Sequence, residues 1–451
     1  MPDKNLISLT HTCHSWRERL VACPSLWTRL DFTNVDKTRV YIERAKTSPL
    51  EFLLHRRNNI SYLNDAFLLV VPHIGRLRSI SIVGAEDLAQ HLTEYLSCPI
   101  PLLEDLAIDL ICDRTPALNT LFSGNISSLR TLKLTGFMVP PPWMNPANLT
   151  TFILCRVPDD ETLVTRLLDF FDVAPLLSKI ALHHSLPTSS DTSPKRLISL
   201  PHLKELEIVA DPAHSILLNH LPIPFGTSLI QRFGFTGNKS PLPDYLPGNS
   251  SKLKNVLTNT AINLCFDGED RSLQLHGSGG VLYIFSHRND GAENAPSFDM
   301  DDKILHSMDY FACLWTQRLA ITKCKLPTLT SAPHHLLDHM KYLRTLTLIR
   351  CNNLPFILAL NPEKYVPVRL LCPKLEKLVL YVEEWNPSDI PELLSMVKKR
   401  DTQRARLQSM TIVSLGELAP RKEVFKLREF VTHMEYRFEE KPPKWDDISD
   451  R

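Results

Sequence analysis

The chain has 451 residues, 43% hydrophobic and 22% charged, with Lys plus Arg (51) balanced by Asp plus Glu (50). This near-neutrality supplies no basic excess for nucleic acid or an anionic membrane surface, and no apolar run is long enough to span a bilayer. Gly is scarce (14) and Pro abundant (34), which argues against glycine-rich phosphate cradles and for a chain that turns corners often. The ten Cys include no Cys-x-x-Cys pair, and no apolar leader core opens the sequence. Reduced thiols in the cytoplasm or nucleus are therefore expected.

The first element is short. Leu9, Cys13, Trp16 and Leu20 recur at helical spacing, which an amphipathic helix with a buried Trp accounts for, although that reading leaves the Pro-Ser-Leu-Trp that follows unexplained. The segment Cys23-Pro24-Ser25-Leu26-Trp27 then reads as a turn.

A repeat follows. The pattern apolar-x-x-apolar-x-apolar recurs as Leu77-Ile80-Ile82, Leu103-Leu106-Ile108, Leu129-Leu132-Leu134 and Leu149-Phe152-Leu154. It continues as Leu177-Ile180-Leu182, Leu203-Leu206-Ile208 and Ile230-Phe233-Phe235. Successive starts lie 20 to 28 residues apart. The last two apolar positions are two apart, which is strand periodicity, so each unit is expected to lay down one short strand and return to the next. Returns are expected at 159–173, 338–342 and 388–400.

Between 236 and 308 the pattern lapses. Ser272–His276 and Val281–Phe285, joined by Gly277-Ser-Gly-Gly280, predict a β-hairpin with a four-residue loop. The repeat resumes at Leu343-Leu346-Leu348, Leu375-Leu378-Leu380 and Leu407-Met410-Ile412. The first of these runs on to Cys351-Asn-Asn-Leu354, and Leu319-Ala-Ile321-Thr-Lys-Cys324-Lys-Leu326 is a partial copy. A Cys or Asn there is placed to serve the backbone of the following turn. The charged tail 439–451 is expected to be disordered.

Signals for chemistry are weak. His335 and His339 stand one helical turn apart but have no glutamate between them and no third ligand in view. His11, Cys13 and His14 cluster, but Cys13 belongs to the apolar stripe. Asp299, Asp301 and Asp302 lack calcium-loop spacing, and Gly277–Gly280 is not followed by Lys-Ser/Thr. No catalytic residue, metal or cofactor is expected, and the chain reads as a binding protein.

The N-terminal residues Cys13, Trp16, Arg17, Pro24, Ser25, Leu26 and Trp27 resemble the second half of an F-box, a Val-Cys-x-x-Trp-Arg core followed by Pro-Ser-Leu-Trp, with Thr12 in place of Val. Together with Ser48-Pro-Leu-Glu-Phe52 and Cys372-Pro-Lys-Leu-Glu-Lys-Leu378, the whole chain is similar to F-box proteins with degenerate leucine-rich repeats from mushroom-forming fungi. The motif's usual opening helix, near Leu-Pro-x-Glu-Leu, has no counterpart before Leu6.

The resemblance implies an α/β fold: an F-box remnant over 1–34, then an irregular leucine-rich-repeat-like solenoid, or horseshoe, over 35–438. It implies the substrate-recognition subunit of an SCF-type cullin-RING ubiquitin ligase. Leu9, Cys13, Trp16, Leu20, Pro24, Leu26 and Trp27 would contact the adaptor subunit, and an unidentified protein would be the substrate. Two alternatives stand beside it: an interaction module that has lost adaptor binding, and a hydrolase-like α/β enzyme. Strand register places Asp105, Asp109, Thr131, Lys133, Glu205 and Glu207 outward on the concave face. Thr345, Thr347, Lys377 and Tyr381 extend it. Their mixed charge points to a protein partner. Trp143, Trp315 and Trp385 are further anchors if exposed, although such residues are more often core.

Overall fold

The computed structural model describes residues 3–31, 34–55, 65, 68–85, 98–111, 127–136, 146–157, 163–183, 196–209, 215–235, 252–253, 259–267, 270–277, 280–288, 305, 308, 315–326, 330–361, 370–415 and 422–441. The chain is α/β, with its strands mostly parallel, and divides into two units, Met1–Leu203 and Lys204–Arg451.

The first unit opens on two helices, α1 (Asp3–Thr10) and α2 (His14–Val21), where one was expected. The hydroxyls of Thr10 and Thr12 donate back to the carbonyls of Ile7 and Leu9, and the helix stops there. Cys13 turns extended and caps α2, its Sγ accepting the Trp16 N–H at 3.4 Å. The 3-10 turn Pro24–Trp27 buries Trp27, whose indole N–H donates to Leu20 O at 2.9 Å. Next comes α3 (Val35–Ala45), capped by Asn34 and burying Thr38, Tyr41, Ile42 and Ala45 at i, i+3, i+4, i+7. Tyr41 meets the Trp27 ring edge-on at 5.0 Å, and the Arg44 guanidinium covers that ring.

Seven parallel strands pair in chain order: β1 (Arg29–Leu30), β2 (Leu50–His55), β3 (Leu77–Ala85), β4 (Asp105–Ile111), β5 (Thr131–Thr135), β6 (Thr151–Cys155) and β7 (Lys179–His183). The repeat fixes their register. Leu106, Leu132, Phe152 and Ile180 align in one buried row, and Ile108, Leu134, Leu154 and Leu182 in the next. Each such side chain is worth about 1.5–3 kcal/mol when removed from water. A one-residue slip would expose whole rows at once. Helix α4 (Leu163–Asp172), within the expected 159–173 return, packs Phe170 and Phe171 on Phe152.

The second unit holds β8 (Glu205–Val209), β9 (Thr227–Phe235), β10 (Asn259–Asp267), β11 (Asp270–Gly277), β12 (Gly280–Arg288), β13 (Arg318–Thr322), β14 (Thr345–Ile349), β15 (Lys377–Val382), β16 (Ser409–Leu415) and β17 (His433–Glu439). Here the chain leaves sequence order. β9 pairs with β12 and β10 with β13, both parallel, and β11 runs antiparallel between β12 and β10. From β13 to β17 the parallel ladder resumes in chain order. Gly277 pairs with Gly280, so two residues, not four, separate the hairpin strands. Nothing in the apolar spacing announced β10 as the third strand of this meander.

Two further expectations shift. In β9 the register partners of Leu206 and Ile208 are Leu229 and Gln231, both buried, and not the expected Phe233 and Phe235. The return before β14 is α5 (Ala332–Asp338), which ends where 338–342 was expected to begin. Later returns are α6 (Leu354–Leu360) and α7 (Asp389–Thr402), the latter covering the expected 388–400; α5 packs on α6 and α6 on α7. Cys351 serves the backbone as expected, its Sγ donating to Ile321 O at 3.2 Å, and Asn352, not anticipated, adds a bond from Nδ2 to Leu326 O at 3.0 Å.

Candidate functional site

Two surfaces hold the residues named from the sequence. At the N-terminus, Leu9, Trp16 and Leu26 are exposed, Trp16 by 55%. Ile7, not anticipated, is exposed as well. Leu20 and Pro24 are half-buried. Helix α2 buries no residue, so the expected amphipathic helix with a buried Trp is corrected. The break at 11–13 rotates Trp16 outward and takes Cys13 out of any apolar stripe. Trp27 is only 1% exposed and is core, held between Leu20 O and Tyr41; it is not available to a partner.

The outward sheet face differs between the units. In the first it is polar around β4 and β5, where Asp105 and Lys133 are exposed and Asp109 and Thr131 partly so, while Thr135 and Ala181 on the same face are buried. Below it on the rim, Arg78 donates to Glu104 at 2.8 Å and holds that carboxyl below the usual carboxylate range. In the second unit Glu205 and Glu207 are partly exposed, and Glu207 lies 3.3 Å from Arg232.

Further along the second unit the expectation fails. Thr345 and Lys377 are partly exposed, but Thr347 and Tyr381 are each only 4% exposed. The cause is composition. Their outward neighbours Ile349, Val379 and Val413 are apolar, and with Tyr381 they close into a buried cluster that Leu415 packs against. Both faces of β14–β16 are therefore largely buried; β15 alone is a nearly continuous apolar run, the mark of two-sided burial, whereas β14 and β16 carry Thr and Ser among their apolar residues.

The remaining candidates separate. Trp315 is exposed and Trp385 half-buried; Trp143 lies outside the described residues, as do Asp299, Asp301 and Asp302. His335 and His339 meet edge to face at 5.4 Å. Among the described residues, no group of three or more His, Cys, Asp or Glu is arranged to hold a metal ion, and no helix is long and apolar enough to cross a membrane. Cys155 and His183 are cross-strand register partners. Burial pushes the Cys155 thiol up, away from a nucleophilic thiolate.

One stacked pair was missed by the sequence reading. Trp315 and Tyr342 lie with ring centroids 5.2 Å apart and planes at 12°, and Lys374 Nζ sits 4.2 Å above the Tyr342 ring. The signal was available: each of the three stands three residues before its strand. No known protein-family model matches the chain, and no curated protein sequence matches it.

Proposed function

We propose that this chain is a protein-binding scaffold, the substrate-recognition subunit of an SCF-type cullin-RING ubiquitin ligase, built as an F-box remnant followed by an irregular leucine-rich-repeat solenoid. The observation that carries the reading is the contrast between two tryptophans eleven positions apart: Trp27 is core, and Trp16 is presented to solvent. A large aromatic left exposed, with Leu9 and Leu26 also exposed in the same opening segment, costs solubility unless a partner covers it. The resemblance names that partner, the adaptor subunit. The parallel ladder with one strand per repeat supports the solenoid reading. On the first unit the open polar face around Asp105, Asp109 and Lys133 is the candidate substrate surface.

The test is co-purification of the full chain with recombinant adaptor and cullin. Capture is expected, with loss of about tenfold or more in affinity for Trp16→Ala, since truncating a central aromatic anchor costs ~2 kcal/mol or more. Failure of the wild-type chain to capture the adaptor sinks the ligase reading and leaves an interaction module without ubiquitin coupling.

A further inference from the structure

The rim of the second unit's sheet, where β13–β16 begin, carries an unusual column. In four successive repeats the residue three before the strand is Trp315, Tyr342, Lys374 and Arg406. The strand starts Arg318, Thr345, Lys377 and Ser409 are register partners, so the four side chains follow one another along the rim at strand spacing. The first three are already stacked: Lys374 over Tyr342, Tyr342 over Trp315. Trp315 ends the stack and is 54% exposed.

The charge around this stack is one-sided. Lys341, Arg344, Lys374, Lys377, Arg404 and Arg406 stand beside three acids, Glu376, Asp401 and Glu429. Glu376 reaches Arg344 at 3.5 Å and Asp401 reaches Arg406 at 3.7 Å, while Glu429 meets Arg406 through its backbone carbonyl. Lys341, Lys374, Lys377 and Arg404 have no carboxylate partner among the described residues. A chain with net charge of only +1 has gathered its cations beside an exposed aromatic platform.

We infer that this rim is a docking site for an acidic peptide segment that lays an aromatic or proline ring on Trp315 and sets its carboxylates against Lys341, Lys374, Lys377 and Arg404. Exposed aromatic anchors ringed by charge are the usual chemistry of peptide capture. A single-stranded nucleic acid fits less well. Its successive bases need successive platforms, whereas Trp315 and Tyr342 stack on each other and offer one. This surface does not involve α1 or α2, so it stands or falls independently of adaptor binding.

The experiment is fluorescence anisotropy on the full chain with three labelled probes: a short peptide of Glu and Asp around one Trp, the same peptide with Gln and Asn for the acids, and oligo(dT). The acidic peptide is expected to bind, more weakly as salt rises, and the neutral one to bind about tenfold or more less tightly. Trp315→Ala and Lys374→Glu, both surface changes whose folding circular dichroism checks, are each expected to weaken the acidic peptide by about tenfold. Trp16→Ala is expected to leave it unchanged. The proposal is overturned if the acidic peptide does not bind, if the neutral peptide binds equally, if oligo(dT) binds more tightly, or if the two rim substitutions have no effect.

Discussion

Cys372 and Arg400 tie three successive returns of the second unit together. Cys372 Sγ donates to Leu337 O at 3.4 Å, at the end of α5. Arg400, on α7, donates through Nη1 and Nη2 to the carbonyls of Leu371 and Cys372, both at 2.9 Å. Arg400 is fully buried and has no carboxylate partner among the described residues; burial pulls its pKa down to about 10. Burial pushes the Cys372 thiol from 9.0 up to about 12. An unfolded chain loses that thiol proton from pH 9 upward while the folded chain keeps it, so folded stability is full below pH 9 and falls as pH rises towards 12. The expected loss approaches about 1.4 kcal/mol per pH unit within this window. Arg400 acts with the opposite sign above pH 10, where the unfolded chain holds the extra proton, so the useful range ends there. Urea melts from neutral pH to pH 10 should show a steeper fall for the wild type than for Cys372→Ala; parallel profiles would refute the assignment. A second residue-scale device recurs at strand ends. Arg156, Lys323 and Arg350 take left-handed φ of 53°, 56° and 53°, as Gly136 does at 77°. The N–H groups of Gly136, Arg156 and Lys323 then donate to the last carbonyl of the next strand, such as Arg156 to His183 O at 2.7 Å, and Arg350 N–H donates to Tyr381 O, one residue before the end of β15. Three of the four are not glycine, so composition concealed the turn.

Among the elements, β14–β16 depart furthest from the expected open binding face. Val413 is fully buried on the face that periodicity assigned to solvent, against Ile349, Val379 and Tyr381. A charge placed there has no partner and a large desolvation cost. Val413→Asp is therefore expected to lose several kcal/mol, on the order of 4 or more. Lys133→Asp, at an exposed outward position of β5, should change stability by about 0.5 kcal/mol or less. Chemical denaturation of the two variants checks this. Equal effects would mean that the face over β14–β16 is open after all. At the N-terminus the same lesson applies to helices. Spacing placed Leu9, Cys13, Trp16 and Leu20 on one stripe, but periodicity cannot see that Thr10 and Thr12 bond back and Cys13 caps, which splits the stripe.

For the whole molecule, the ladder implies local coupling. In the first unit each strand after β1 pairs with its sequence neighbours, so damage is expected to spread to adjoining strands and fade. Leu132→Ala removes a fully buried side chain from β5 and should cost about 2–5 kcal/mol. Amide hydrogen exchange should rise across β4–β6 while β14–β16 keep their protection. Uniform acceleration in both units would show that the chain unfolds as one cooperative body instead.

The repeat was legible because burial of one face imposes a two-residue period, and that period survives in the sequence as Leu106-x-Ile108, Leu132-x-Leu134 and Leu378-x-Leu380. The alternation therefore determined one short strand per unit, the parallel pairing that returns allow, and which rows point inward. Three things depended on partners distant in sequence, and so only the tertiary structure decided them. The meander reorders β10–β12 because pairing, not spacing, chooses a strand's neighbour. The outward face of β14–β16 is largely buried because Ile349, Val379, Tyr381 and Val413 from three neighbouring strands meet on it, and alternation within one strand does not report that. The exposure of Trp16 and Trp315 against the burial of Trp27 turns on what packs over each ring, a property of the surroundings that the residue type does not carry.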